Sequence, residues 1–139
     1  MSPGFVVDAS VGFAWIHPDQ ATPETDHLLR EVAAGARVVV PALWFLEMAN
    51  VALIAQRRKR LTAAQRKAAL ENLTALQFTV DEEAARQAFD QISSLAAAHG
   101  LTIYDATYLE VALRRNLALA TRDDALKTAA RACRLKLLI

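Results

Sequence analysis

The apolar positions of this chain fall into short continuous blocks and longer periodic ones, and their alternation predicts its architecture. Phe5 to Val7 is an unbroken apolar run that stops at Asp8, and Arg37 to Val40 is a β-branched run stopped by Pro41. Runs of this kind suit strands buried on both faces. Gln77 to Val80, Leu117 to Thr121 and Lys136 to Ile139 complete a predicted set of five strands. Helical stretches are predicted between them, over Pro23 to Ala34 before Gly35, Leu43 to Arg58, Ala63 to Ala75, Glu82 to His99 before Gly100, Asp105 to Arg115, and Asp123 to Ala132. Strands that alternate with helices imply an α/β fold with a mainly parallel sheet covered on both faces. In such sheets the ligand crevice lies at the carboxyl ends of the strands, near a switch in strand order. Chemistry is therefore sought there.

Length changes the picture only by limiting it. The 139 residues fit one compact domain, expected to span 1–139, and no repeat, low-complexity segment or Gly/Ser-rich linker divides them. The apolar fraction of 54% exceeds the usual ~45–50%, so a buried core is well supplied and disorder is disfavoured. The longest apolar stretch, Val38 to Ala55, is interrupted by Pro41, Glu47 and Asn50. An acidic residue at mid-bilayer would cost about 3 kcal/mol, so the stretch reads as a strand and a core helix. The start, MSPGFVVDAS, has no basic leader before its apolar run, which predicts no secretory signal. Cys133 is the single cysteine, which excludes an internal disulfide and a cysteine-based zinc site and agrees with a cytoplasmic location. Cys133 itself reads as a small buried hydrophobe. A net charge of +1 argues neither for nor against a nucleic-acid or membrane surface, so local clusters must decide.

Four acids stand where chemistry is expected. Asp8 ends the first strand, and Asp123 follows the strand Leu117 to Thr121. Asp105 opens the helical stretch IYDATYLEVALRR, where it can cap the helix. Glu47 interrupts LWFLEMANVALIA, an otherwise apolar helix, and helical spacing places Asn50 and Val51 on its stripe. Taken singly, the aspartates read as helix caps or a strand-ending turn. Jointly those readings weaken, because caps do not require the aspartates to fall at one sheet edge while a glutamate intrudes into a core helix. Carboxylates that converge repel one another, and a bound cation relieves the repulsion. Oxygen ligands favour magnesium or manganese, with substrate phosphate oxygens and waters completing the shell. A metal so held activates water against a phosphodiester. Ser10, Asn50 and Thr121 are placed to orient ligands or waters.

The segments VVDASV at Asp8, FLEMANVAL at Glu47, LTIYDATYLEVA at Asp105 and LATRDDAL at Asp123 occur in an order and spacing that resemble the PIN-domain nucleases, in particular the VapC-type toxins of toxin-antitoxin modules. The resemblance spans the whole chain. It implies a PIN-like three-layer α/β/α sandwich whose five parallel strands run in the order 3-2-1-4-5, with Asp8 and Thr121 on adjacent central strands. It implies a catalytic quartet of Asp8, Glu47, Asp105 and Asp123, with the metal, Mg2+ or Mn2+, held by Asp8, Asp105 and Asp123. It also implies hydrolysis of RNA, a homodimer, and a small VapB-like antitoxin whose tail covers the groove. Of the adjacent pair Asp123 and Asp124, the family's spacing after the threonine selects Asp123, leaving Asp124 as a first-turn helix acid.

Other features carry less. Arg57, Arg58, Lys59 and Arg60, near a turn between helices, can hold RNA phosphates or simply solvate a helix end. Trp15, Trp44 and Phe45 read as core, with a partner surface as the second reading. His17, His27 and His99 lack metal spacing and read as surface residues. Competing functions are a PIN-type RNA-processing nuclease outside a toxin module, a non-catalytic binding scaffold, and a receiver-like signalling domain. The last needs a lysine after the fifth strand, and the chain has none there.

Overall fold

A computed structural model describes residues 4–139; the first three residues of the expected domain lie outside that range. Four parallel strands form one sheet: β1 (Phe5–Val7), β2 (Val38–Pro41), β3 (Phe78–Asp81) and β4 (Ala118–Ala120), in the order β3-β2-β1-β4. Phe5 pairs with Val38 on one side and Ala118 on the other, which makes β1 a central strand. Side chains of successive strand residues point to opposite faces. Phe5, Val6 and Val7 are nonetheless all buried, as are Val38, Val39 and Val40, so helices cover both faces.

Among the described residues seven α-helices supply that cover: α1 (Ala9–Ile16), α2 (Pro23–Ala33), α3 (Leu43–Arg57), α4 (Ala63–Thr74), α5 (Gln91–His99), α6 (Ile103–Arg115) and α7 (Asp124–Ala132). Helices α1 to α4 pack among themselves, with α1 on β1 and α3 on β2; α5 and α7 pack against α6, which lies on β1, β2 and β4. At Gly12 a Cβ would meet Met48 Sδ at 2.4 Å and Trp44 at 2.9 Å, so only glycine lets α1 approach α3 this closely. Trp44, buried beneath that contact, donates from Nε1 to the Asp8 carbonyl at 3.1 Å. This aromatic is core, as the sequence reading preferred. Trp15 is half-buried and donates to the Thr25 carbonyl, while Phe45 lies exposed against Phe78.

The structure corrects the sequence reading at several points. The expected fifth strand, Lys136 to Ile139, is reduced to a single parallel bridge of Leu137 beside Leu119. In a three-residue strand alternate residues bond to opposite sides, so with Ala120 bonded towards β1, Leu119 alone faces outward; it donates to Lys136 and accepts from Leu138. Helix α1 was not foreseen, because ASVGFAWI is apolar almost throughout and shows no periodic polar face. The predicted helix Glu82 to His99 is broken into a 3-10 turn, Ala84–Gln87, and α5. Asp81 Oδ1 accepts from the backbone N–H of Glu83 and of Ala84, which winds the chain into the tight turn, and Asp90 then leaves helical geometry. His17 is buried, not exposed, and both ring nitrogens lack a hydrogen-bond partner among the described residues; its ring stands edge-on to Phe13. His27 is exposed and meets Glu31 at 3.2 Å, and His99 is half-buried beside a half-buried Cys133.

Candidate active site

Asp8 follows β1 and caps α1, accepting from Val11 N–H at 3.2 Å. Its buried carboxylate also accepts from Ser10 Oγ at 2.6 Å through Oδ1 and from Thr121 Oγ1 at 2.5 Å through Oδ2. Thr121 in turn accepts from Asp123 N–H at 3.1 Å, and Ser10 accepts from Arg122 N–H at 2.8 Å. Ser10 and Thr121 thus tie the ends of β1 and β4 into one hydrogen-bonded unit. Burial pushes the Asp8 carboxyl up to about 6; the bonds from Ser10, Thr121 and Val11 oppose the rise, and the charge of Asp105 adds to it.

Glu47 projects from the middle of α3 and is half-buried. Tyr108, a buried residue of α6, donates from its hydroxyl to Glu47 Oε1 at 2.5 Å. Burial raises the Glu47 carboxyl above its ordinary value, the Tyr108 bond opposes this, and Asp105 adds to it. Burial together with the Glu47 contact drives the Tyr108 hydroxyl strongly upward, so it stays protonated as a donor.

Asp105 is not the helix cap that the sequence suggested. Thr102 caps α6 by accepting from Asp105 N–H at 3.1 Å, which leaves the Asp105 side chain, in the first turn, free of the capping role. Its carboxyl is raised by burial first and by the charge of Asp123 second, against a lowering bond from Thr102. Asp123 does cap a helix, accepting from Leu126 N–H at 3.1 Å, and Asp124 is the exposed first residue of α7. The charge of Asp105 thus acts on Asp8 and on Glu47, and that of Asp123 acts on Asp105.

Among the described residues no three or more histidine, cysteine, aspartate or glutamate side chains stand together as a group that could hold a metal ion. The donor chemistry nevertheless fits a hard divalent cation. Oxygen donors are supplied, and three of the carboxyls are raised by burial first and by the charge of a neighbouring acid second, a cost that a cation offsets. Asn50 is exposed, with no hydrogen bond from its side chain among the described residues, and it does not join the buried unit. Tyr108 and Thr102 escaped the sequence reading. Tyr108 had a signal, since it stands three residues after Asp105 on the same helical stripe.

A family model described as PIN domain matches residues 5–132. The chain belongs to the PIN domain family. Members of this family are generally nucleases that use divalent metal ions, and the chain has the PIN-like α/β fold with a parallel sheet. Among solved structures it is similar to PAE2754 from Pyrobaculum aerophilum, with a TM-score of 0.68 and 24% identity over 91% of this chain and 78% of that one. That likeness speaks to the fold. No curated protein matches the chain.

Proposed function

We propose that this PIN domain is a magnesium- or manganese-dependent endoribonuclease, acting as the toxin of a type II toxin-antitoxin module. The observation that carries the nuclease reading is the buried Asp8 carboxylate, held by Ser10 and Thr121 where β1 and β4 end, in a chain of the PIN family. In this reading Asp8, Asp105 and Asp123 hold the metal and Glu47 completes the catalytic quartet. The bound ion supplies an activated water and charge neutralisation at the scissile phosphate. The chain's own residues do the rest. Ser10 and Thr121 keep the Asp8 carboxylate in one orientation, and Tyr108 does the same for Glu47. Glu47, its carboxyl raised by burial, is suited to exchange a proton with the attacking water or the leaving oxygen.

RNA as substrate is favoured by Arg57, Arg58, Lys59 and Arg60, all exposed and without an ion pair among the described residues. A protein partner is favoured by exposed Leu46, Phe89 and Tyr104, the last of these only one residue from Asp105. We assign such surface to a homodimer contact and to a small VapB-like antitoxin that covers the groove. A toxin of this kind works in the cytoplasm, and no helix among the described residues is long and apolar enough to cross a membrane. The whole chain, 1–139, would act as one domain. Inducing it in a bacterial host with and without a small partner frame from beside its gene tests the toxin role. Growth arrest relieved by the partner is expected; harmless expression of active enzyme would leave a PIN-type RNA-processing nuclease as the better reading.

A further inference from the structure

Glu47, Val51, Ile54 and Arg58 repeat at four, three and four residues, so they form one stripe along α3. The stripe leads away from the acidic site and ends in a guanidinium. Arg58, the C-cap of α3, stands eleven positions beyond Glu47, about 16 Å at the ordinary rise. Ser10 and Phe13, one turn apart on α1, stand across from it. Between the two helices lies a cavity of about 280 Å³ lined by Ser10, Phe13, Val51, Ile54, Arg58 and Arg60. Ser10 belongs to both places: it lines this cavity and donates to Asp8.

The lining is divided by chemistry. Phe13, Val51 and Ile54 are apolar and only partly buried, and Arg58 and Arg60 are exposed cations with no carboxylate partner among the described residues. Their backbone is fixed, since Arg58 N–H donates to Ile54 and Arg60 N–H to Ala55, while Arg66 on α4 bonds Gln56 on α3 and braces the turn. Arg57 and Lys59, in the same basic run, do not line the cavity. An aromatic and aliphatic wall beside two unpaired cations is complementary to a nucleobase and its phosphate. The volume is close to the lower end of ligand pockets, ~300 Å³, which suits one nucleoside and not a peptide helix.

Resting on the nuclease reading above, we propose that this cavity receives one unpaired base of the RNA strand whose scissile phosphate lies at the acids. Arg58 and Arg60 hold the flanking phosphate. The cavity thereby sets a base preference a few nucleotides from the cut, and the basic run divides into two residues that read the strand and two that only attract it.

The test measures binding of four RNA hexamers, each of a single base, to the full chain in chelator, where no cleavage occurs. Wild type is expected to prefer one hexamer. Arg58→Ala and Arg60→Ala should weaken that hexamer about tenfold, and Arg57→Ala and Lys59→Ala by less than about twofold. Val51→Trp, which fills the cavity, should erase the preference between bases. Equal losses in all four cation variants, a base preference that survives Val51→Trp in a folded protein, or no hexamer binding at all would overturn the proposal. Long RNA cut by the same preparation with magnesium separates the two claims. Cleavage without cavity-dependent binding removes the base site and leaves the nuclease; binding without cleavage removes the nuclease and leaves the base site.

Discussion

Thr121 Oγ1 and Asp8 Oδ2 are 2.5 Å apart, and this bond joins residues that follow two adjacent strands, 113 positions apart in sequence. The same hydroxyl accepts from Asp123 N–H, so one buried side chain orients two of the acids. Thr121→Val keeps the shape and removes both bonds. It is expected to destabilise the fold by about 1–3 kcal/mol and to weaken metal binding about 10–100-fold, with Thr121→Ser restoring most of each. Denaturant unfolding and metal titration read the two effects. An unchanged metal affinity in the valine variant would show that Thr121 only packs.

Tyr108 and Glu47 make a comparable pair across α3 and α6. Because Glu47 is half-buried, water replaces part of what Tyr108→Phe removes, and the stability cost should stay near 1 kcal/mol. Cleavage should fall about tenfold or more. Rate and unfolding free energy measured on one preparation decide whether the hydroxyl positions Glu47 or merely stabilises the core.

The raised Asp8 carboxyl makes a prediction about the metal-free protein. Its folded value of about 6 lies above the unfolded 3.8, so the folded state holds a proton that the unfolded state has released. The associated stability is fully present below about pH 4 and is lost as pH rises through 6, amounting to about 3 kcal/mol. Glu47 and Asp105 are raised in the same direction and add to the loss. In chelator, stability should therefore fall between pH 4 and 7, and Asp8→Asn should make the chain more stable at pH 7. Asparagine still caps α1. Magnesium should restore wild type and do little for the variant. A flat profile would contradict the coupling.

Asp81 titrates the opposite way. Burial alone would raise it, but hydrogen bonds from Arg114 and Arg115, with Arg114's charge, hold it at about 2. Its folded value lies below the unfolded one, so its contribution of about 2 kcal/mol is present above pH 4 and lost as pH falls towards 2. Arg114 also binds Glu110, so the network pins the end of β3 to the helix that carries Asp105 and Tyr108. Asp81→Ala should lower the unfolding midpoint at pH 7 and leave much less difference from wild type near pH 2.

What the sequence disclosed follows from which interactions are local. Asp8 and Asp123 were legible because each follows an apolar strand, and Glu47 because a carboxylate in an apolar helix needs a reason. Long-range contacts were not legible. Nothing near Tyr108 announces a partner 61 residues away, and nothing near Asp81 announces Arg114 and Arg115. For Asp105 the sequence left a cap open as the alternative to a site role, because aspartate is a good cap, yet Thr102, three residues earlier, serves equally well and holds the position. Helix α1 was hidden by its uniform apolarity, since it is covered by α2 and α3 and needs no polar face. The fifth strand failed because pairing depends on the outward groups of a neighbour, and β4 offers only those of Leu119.

The central claim is that the acids gathered around Asp105 form a metal-dependent nuclease site. Incubating a mixed cellular RNA pool with purified protein and with Asp8→Asn, in magnesium, manganese or chelator, tests it most directly. The account predicts discrete fragments with either metal, none in chelator, and none from the folded variant. Fragments produced at the full rate by metal-stripped protein, or by Asp8→Asn, would contradict it.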